Sequence, residues 1–254
     1  MKLDESQVKR FEEDGFLVVE DLLEESEVDG LKQRMQNLVD GTVPFPQDCL
    51  EWEPGTEVQE QSASTLRKIN NCAGHDPYFV EHASRAVILD IIESLLGADI
   101  KLFGDQAFIK PPGGSEKTYH QDSAYFAIEP KAIITCWAAL DDVTVENGCL
   151  WVIPGSHLNG IVDHSDIWMV GDRQDMKVPD DKLERGREVS IVMKAGSCSF
   201  HHSVLLHRSG PNLTAQHRRG LATHYMSSRS RWVGSPAKKP EYPLLRGREY
   251  ADCA

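Results

Sequence analysis

Several function classes are excluded by what this chain does not contain. No apolar run approaches the length of a membrane span. The N-terminus, Met1-Lys2-Leu3-Asp4-Glu5, is acidic and lacks the apolar stretch of a signal peptide. Positive charge is scarce: 27 Lys and Arg face 40 Asp and Glu. The resulting formal net charge of −13 argues against nucleic acid or an anionic membrane surface as a partner. The six cysteines (Cys49, Cys72, Cys136, Cys149, Cys198, Cys253) show no C-x-x-C spacing, which speaks against a zinc ribbon or a thioredoxin-like dithiol. Cys136, Cys149 and Cys198 sit in apolar, strand-like runs and read as buried free thiols, so a reducing cytoplasm is the simplest compartment. No repeat of fixed period is visible.

What is present is enough for one domain over residues 1–254. Hydrophobic residues make up 40% of the chain, sufficient for a core, and a charged fraction of 26% gives no expectation of disorder. The N-terminal portion, about 1–97, reads as largely helical. A first helix is expected over 4–14, with Asp4 as cap and Gly15 as stop. Phe16 to Val19 is of strand type. Glu24 to Val39 places Val28, Leu31, Met35, Leu38 and Val39 on one stripe. Residues 41–62 read as a loop, and Asp76 to Leu96 as a third helical stretch ending before Gly97.

After Gly97 short β-type runs follow one another: Ile100-Phe103, Ala107-Ile109, Ala132-Leu140, Cys149-Ile153, Val189-Met193, Ser197-Leu206 and Gly220-Tyr225. Turn signals separate them, and the pattern over about 98–227 predicts a β-sandwich or barrel. Asn147-Gly148 predicts a hairpin. Residues 163–188 form a polar insertion that could be a loop or lid. The tail, 228–254, is locally basic: Arg229, Arg231, Lys238, Lys239, Arg246 and Arg248 against Glu241. Such a tail either neutralises an acidic face or contacts an anionic substrate.

His120-Gln121-Asp122 is followed much later by His207, and eleven positions beyond that by Arg218. Two imidazoles and one carboxylate are the ligand set of the facial triad that holds non-haem Fe(II) with positions left open. H-x-D alone is a weak signal, and His164-Ser165-Asp166 repeats it. His120 and Asp122 lie between a glycine-rich turn and the apolar run Ala124-Tyr125-Phe126, whereas His164 falls in the polar insertion and is expected on the surface. On extended backbone, i and i+2 share a face, so His120 and Asp122 can reach one ion. His207 is expected at a strand end. A 2-oxo acid chelating iron would leave a distal carboxylate that needs a charge partner. Arg218 or Arg219 could supply it, with the Ser209 hydroxyl beside it. On a strand only one of the two arginines can point inward.

These strings resemble the phytanoyl-CoA dioxygenase family of Fe(II)/2-oxoglutarate oxygenases. The resemblance covers nearly the whole chain. It begins at Phe11-Glu12-Glu13-Asp14-Gly15-Phe16 and is most specific in Glu146-Asn147-Gly148-Cys149-Leu150-Trp151-Val152-Ile153-Pro154-Gly155-Ser156-His157 and His207-Arg208-Ser209-Gly210-Pro211-Asn212. It implies a mainly β fold with flanking helices around a double-stranded β-helix (jelly-roll, cupin-like) core. It implies His120, Asp122 and His207 as iron ligands, and it selects Arg218 over Arg219. Trp137 resembles a tryptophan lining the 2-oxoglutarate pocket, with an ordinary core aromatic as the other reading. Lys68 resembles a lysine that reaches the co-substrate in one branch, and Gln106 sits where a co-substrate contact is often found. Because a carboxylate stands at Asp122 where halogenating relatives carry a small residue, the resemblance implies hydroxylation. O2 would be consumed and succinate and CO2 released, with a small molecule as substrate. Two other readings stand beside it: a metal-binding module or sensor without turnover, and a cupin-type metalloenzyme that does not use 2-oxoglutarate.

Overall fold

The computed structural model describes residues 2–167 and 176–254. Its N-terminal third supplies helices that cover one face of a large sheet. Helix α1 (Glu5–Asp14) starts at Asp4, whose carboxylate accepts the Gln7 N–H, and stops at Gly15 with φ +80°. Strand β1 (Phe16–Val19) and helix α2 (Glu25–Val39) follow, then β2 (Leu50–Trp52) and β3 (Leu66–Asn70). These two strands fall in and just beyond residues 41–62, where the sequence predicts a loop. A short helix, α3 (Cys72–His75), precedes the third helical stretch, which is not continuous: it comprises α4 (Pro77–Ala83) and α5 (Ala86–Leu96), with the break at Ser84 and Arg85.

The β region is built from β4 (Ile100–Lys110), β5 (Lys117–His120), β6 (Ile128–Glu129), β7 (Ile134–Ala139) and β8 (Leu150–Val152). It continues with β9 (Asp166–Ile167), β10 (Met176–Lys177), β11 (Val189–Ile191), β12 (Cys198–His202), β13 (His207–Ser209), β14 (Arg218–Ser227), β15 (Arg231–Trp232) and β16 (Leu244–Arg246). The large antiparallel sheet runs β1-β12-β7-β14-β4-β3-β2, with β16 also on β4. The smaller runs β11-β8-β13-β5. The inner faces of the two sheets meet in a jelly roll.

Strand parity explains how one sheet serves two cores. On β7, Ile134, Cys136 and Ala138 join the core under the helices, while Trp137 and Ala139 face the other sheet. On β14, Leu221 and Tyr225 pack outward beneath the helices, while Ala222 faces inward. Helix α2 buries Val28, Leu31, Met35 and Leu38 on that outer core, each fully buried side chain being worth roughly 1.5–3 kcal/mol. Val39 ends only partly buried against it.

Asn147-Gly148 does not close a hairpin. The strands on either side, β7 and β8, belong to different sheets, and the segment is a crossover. Asn147 instead stabilises a local turn, its side chain taking the Thr144 N–H and donating to the Asp142 carbonyl. Gly148 has φ +87° and lies so close to Gly210 that a Cβ would stand 2.4 Å from its carbonyl oxygen. Close approach, together with the left-handed backbone, sets the glycine here.

Of the polar insertion, residues 168–175 lie outside the described residues. The rest includes the β9–β10 pair and two short 3-10 turns. The tail turns its charges mainly onto the protein itself. Arg246 reaches Asp90 and Glu93, and Arg229 and Arg248 both donate to the Tyr250 hydroxyl. Tyr242 stacks on Phe103 in a small apolar cluster with Phe126 and Trp232 partly buried against it. No tail residue lines the central cavity described below.

Candidate metal centre and its cavity

Between the sheets lies a cavity of about 220 Å³. His120, Asp122, His207, Arg218, Ser209, Trp137, Lys68 and Gln106 all line it. The strands dictate this. His207 and His120 are direct cross-strand partners on β13 and β5. Gln121 is extended, with φ −125° and ψ 127°, so Asp122 returns to the face of His120 before a 3-10 turn begins.

One ligand atom from each of His120, Asp122 and His207 falls within 4.8 Å of the others. Asp122 Oδ1 stands 3.7 Å from His120 Nε2 and 3.6 Å from His207 Nε2. Each imidazole is oriented by its other nitrogen. His120 Nδ1 lies 2.8 Å from the Thr118 carbonyl, and His207 Nδ1 lies 3.0 Å from the Leu205 carbonyl. A carbonyl only accepts, so both rings carry their proton on Nδ1 and keep the Nε2 lone pair for an ion. Burial holds both histidines below the ordinary imidazole pKa, hence neutral and able to ligate. Burial pushes the Asp122 carboxyl up, but His207, His201, His224 and His120 around it outweigh that and hold it well below the carboxylate range. A neutral, neutral, anionic donor set of this kind suits a divalent ion such as Fe(II).

One end of the cavity is cationic. Arg218 is 3% exposed, donates to the Gly148 carbonyl at 2.8 Å, and keeps a buried Nε without a hydrogen-bond partner among the described residues. Its guanidinium lies 5.2 Å from the Trp137 ring centre. Trp137 therefore lines the cavity while packing in the inner core. Gly220 makes room for it, since a Cβ there would stand 2.2 Å from the indole. Burial lowers the Arg218 pKa to about 10. Arg219, one residue on, faces the other way and binds Asp141 through Nε and Nη2 at 2.8 Å each.

Sequence reasoning missed Lys110, the register partner of Arg218 on β4. Its Nζ donates to Ser209 Oγ at 3.0 Å and to the Gly210 carbonyl. Burial, with Arg218 and Arg67 nearby, lowers its pKa to about 6. Thr135 and His224 were also missed, and His201, which shares the face of His207 on a regular strand, has no role assigned by sequence reasoning. Thr135 Oγ1 lies 3.2 Å from Asp122 Oδ2 and 2.8 Å from His224 Nδ1. The available signal was parity: 135 shares a face with Trp137, and 224 shares one with Arg218. Gln106 donates to Asn70, and Lys68 is paired with Glu51 at 3.2 Å, so both are tied to protein groups at the cavity wall.

His164 corrects the expectation of a surface residue. It is 9% exposed, its Nδ1 lies 2.7 Å from the Val162 carbonyl, and its Nε2 accepts the Gln121 N–H at 3.0 Å. The polar flanking sequence hid this, because its partner is a backbone group on another segment.

Comparison with known proteins agrees with this architecture. The profile of the phytanoyl-CoA dioxygenase (PhyH) family matches residues 11–220. The phytanoyl-CoA dioxygenase of Arabidopsis thaliana is 29% identical over 271 residues, covering 92% of this chain and 94% of its own. The peroxisomal phytanoyl-CoA dioxygenase of Homo sapiens is 27% identical over 235 residues, covering 89% and 69%. Among solved structures, EctD from S. alaskensis with bound Fe has a TM-score of 0.75 at 24% identity, over 99% of this chain and 86% of its own. The epimerase SnoN in complex with Fe3+, alpha ketoglutarate and nogalamycin RO has a TM-score of 0.73 at 22% identity, over 95% and 98%. Both share the fold. With the profile spanning most of its length, this chain belongs to the phytanoyl-CoA dioxygenase family of iron- and 2-oxoglutarate-dependent oxygenases.

Proposed function

We propose that the protein hydroxylates an unactivated C–H bond of a small-molecule substrate, with His120, Asp122 and His207 holding Fe(II). The observation that carries this reading is the joint placement of that donor set and the buried, incompletely paired Arg218 in one cavity. When bound, iron and 2-oxoglutarate supply the oxidising power, consuming O2 and releasing succinate and CO2.

The chain's own residues do the rest. His120 and His207 present fixed lone pairs. Asp122 supplies the negative charge and fills the position that would otherwise admit a halide, which favours hydroxylation. Arg218 and Ser209 take the distal carboxylate of 2-oxoglutarate, with Trp137 as the wall beneath and Lys110 behind Ser209. Lys68 and Gln106 border the same space. Most of the groups that line the cavity are buried, which strengthens each of these electrostatic contacts. Among the described residues no helix is long and apolar enough to cross a membrane. All six cysteines are free, which fits a reducing compartment such as the cytoplasm.

Anaerobic titration with Fe(II) and 2-oxoglutarate tests the reading. A weak visible charge-transfer band is expected in wild type and should vanish in His120→Ala. No band in wild type overturns the assignment. Arg218→Ala should weaken co-substrate binding on the order of 100-fold or more, given the cost of an unpaired buried charge. A cupin-type enzyme without 2-oxoglutarate would be indifferent to that change. A binding module without turnover would release no succinate with any substrate.

A further inference from the structure

The two oxygens of Asp122 have different surroundings. Oδ1 faces the Nε2 atoms of His120 and His207. Oδ2 turns to the Thr135 hydroxyl at 3.2 Å, with His201 Nε2 further off at 3.8 Å, beyond hydrogen-bond range. Thr135 in turn meets His224 Nδ1 at 2.8 Å.

Proton bookkeeping fixes the direction of this chain. Thr135 has one hydroxyl proton. A carboxylate oxygen cannot donate, so that proton goes to Asp122 Oδ2. Toward His224 the hydroxyl can only accept, and His224 must carry its proton on Nδ1. Its Nε2 then holds a lone pair with no hydrogen-bond partner among the described residues.

Thr135 and His224 are 1% and 6% exposed, on the inward faces of β7 and β14. Phe103 and Phe126 stand edge-on to the imidazole, at 6.4 and 5.4 Å between ring centres. A buried hydroxyl and imidazole in such company cost stability unless their hydrogen bonds are used. Among the described residues, the side-chain hydrogen bonds of the pair lead to Asp122.

We propose that Thr135 and His224 are positioning residues that occupy the second oxygen of Asp122, so that the carboxylate meets the metal through Oδ1 alone. This inference rests on the iron assignment made above and extends it. A carboxylate free to rotate could bind through both oxygens and take a position that the bidentate co-substrate needs. The relay prevents that by tying Oδ2 to two strands of the large sheet. It also sets the His224 tautomer, with the proton on Nδ1.

The experiment compares wild type with Thr135→Val, Thr135→Ser, His224→Asn and His224→Leu. Valine keeps the shape of threonine and removes the hydroxyl, whereas serine keeps the hydroxyl. Asparagine places an amide donor near the position of Nδ1, whereas leucine has none. In Thr135→Val, Fe(II) affinity should fall 10- to 100-fold, the usual range for groups that orient a ligand, and the 2-oxoglutarate charge-transfer band should shift and weaken. Thr135→Ser and His224→Asn should stay close to wild type, and His224→Leu should follow Thr135→Val. In the metal-free protein, 15N imidazole resonances should show His224 protonated on Nδ1 in wild type, and that tautomer should no longer be held in Thr135→Val.

The proposal is overturned if Thr135→Val binds iron and shows the band as wild type does, or if Thr135→Ser is as impaired as Thr135→Val. A wild-type His224 protonated on Nε2 alone overturns it independently of iron. Should Thr135→Val fail to fold, the His224→Asn and His224→Leu pair decides by the same criteria. A wild type with no band at all removes the iron assignment and the relay with it, and is told apart by the tautomer measurement.

Discussion

Two H-x-D triplets in this chain share one local design and serve different ends. In both, the histidine directs Nδ1 at the carbonyl two residues earlier, Thr118 for His120 and Val162 for His164. In both, Nε2 is left as an acceptor. For His120 that lone pair faces Asp122 and His207 across the cavity. For His164 it is consumed by the Gln121 N–H. Asp122 is held inside by Thr135, while Asp166 is half-exposed with Lys177 at 3.8 Å. The local ring geometry is thus common, and what separates a candidate ligand from a structural brace is the group that meets the second nitrogen.

The largest expected break in this comparison is His120→Ala or His207→Ala. Either should abolish the charge-transfer band and succinate release while leaving the metal-free protein folded, as thermal unfolding without metal would show. Next comes Gln121→Leu. The Gln121 side chain is wholly buried and donates to the carbonyls of Gly160 and Val204 while accepting from Val162 N–H, so it ties the first triplet to the segment leading into the second. Losing these contacts and stranding their partners should cost about 2–4 kcal/mol of stability in urea unfolding.

His164→Ala should cost less, on the order of 1–2 kcal/mol, because one buried N–H is orphaned, and iron binding should persist. A mutant that lost iron without losing stability would make His164 a ligand and erase the contrast. The effect of His164 also depends on pH. Burial lowers its pKa, so the unfolded chain binds the proton more readily. Its contribution is present above about pH 6.5 and is lost as pH falls through the folded value. The stability gap between wild type and His164→Ala should therefore narrow on acidification. The smallest effect is expected from Asp166→Asn, within about 0.5 kcal/mol and without change in the band.

Much of the site was legible because its chemistry demands particular residue types. The choice between Arg218 and Arg219 could be posed from strand parity, and the structure turns only Arg218 inward. The role of His164 was not legible, since its partner is a backbone N–H far away in sequence. Thr135 and His224 were equally silent, as each alone reads as an ordinary buried polar residue. Strands β2 and β3 were hidden by polar flanks that do not alternate cleanly. Asn147-Gly148 misled because a tight turn can join strands of different sheets as well as paired ones. The tail left two readings open, and Arg246 on Asp90 and Glu93 favours charge neutralisation.

The cross-strand pairing of His207 with His120 has a consequence for how the enzyme is made. The separation of the two imidazoles is set by the spacing of the small sheet, which is held by its own strand pairing and by packing against the large sheet. Its assembly therefore does not wait for an ion. The metal-free protein is thus expected to unfold cooperatively in the absence of added iron, as urea unfolding of the chelator-treated protein would show. Iron then adds only the modest, concentration-dependent stabilisation of any ligand that binds a finished site.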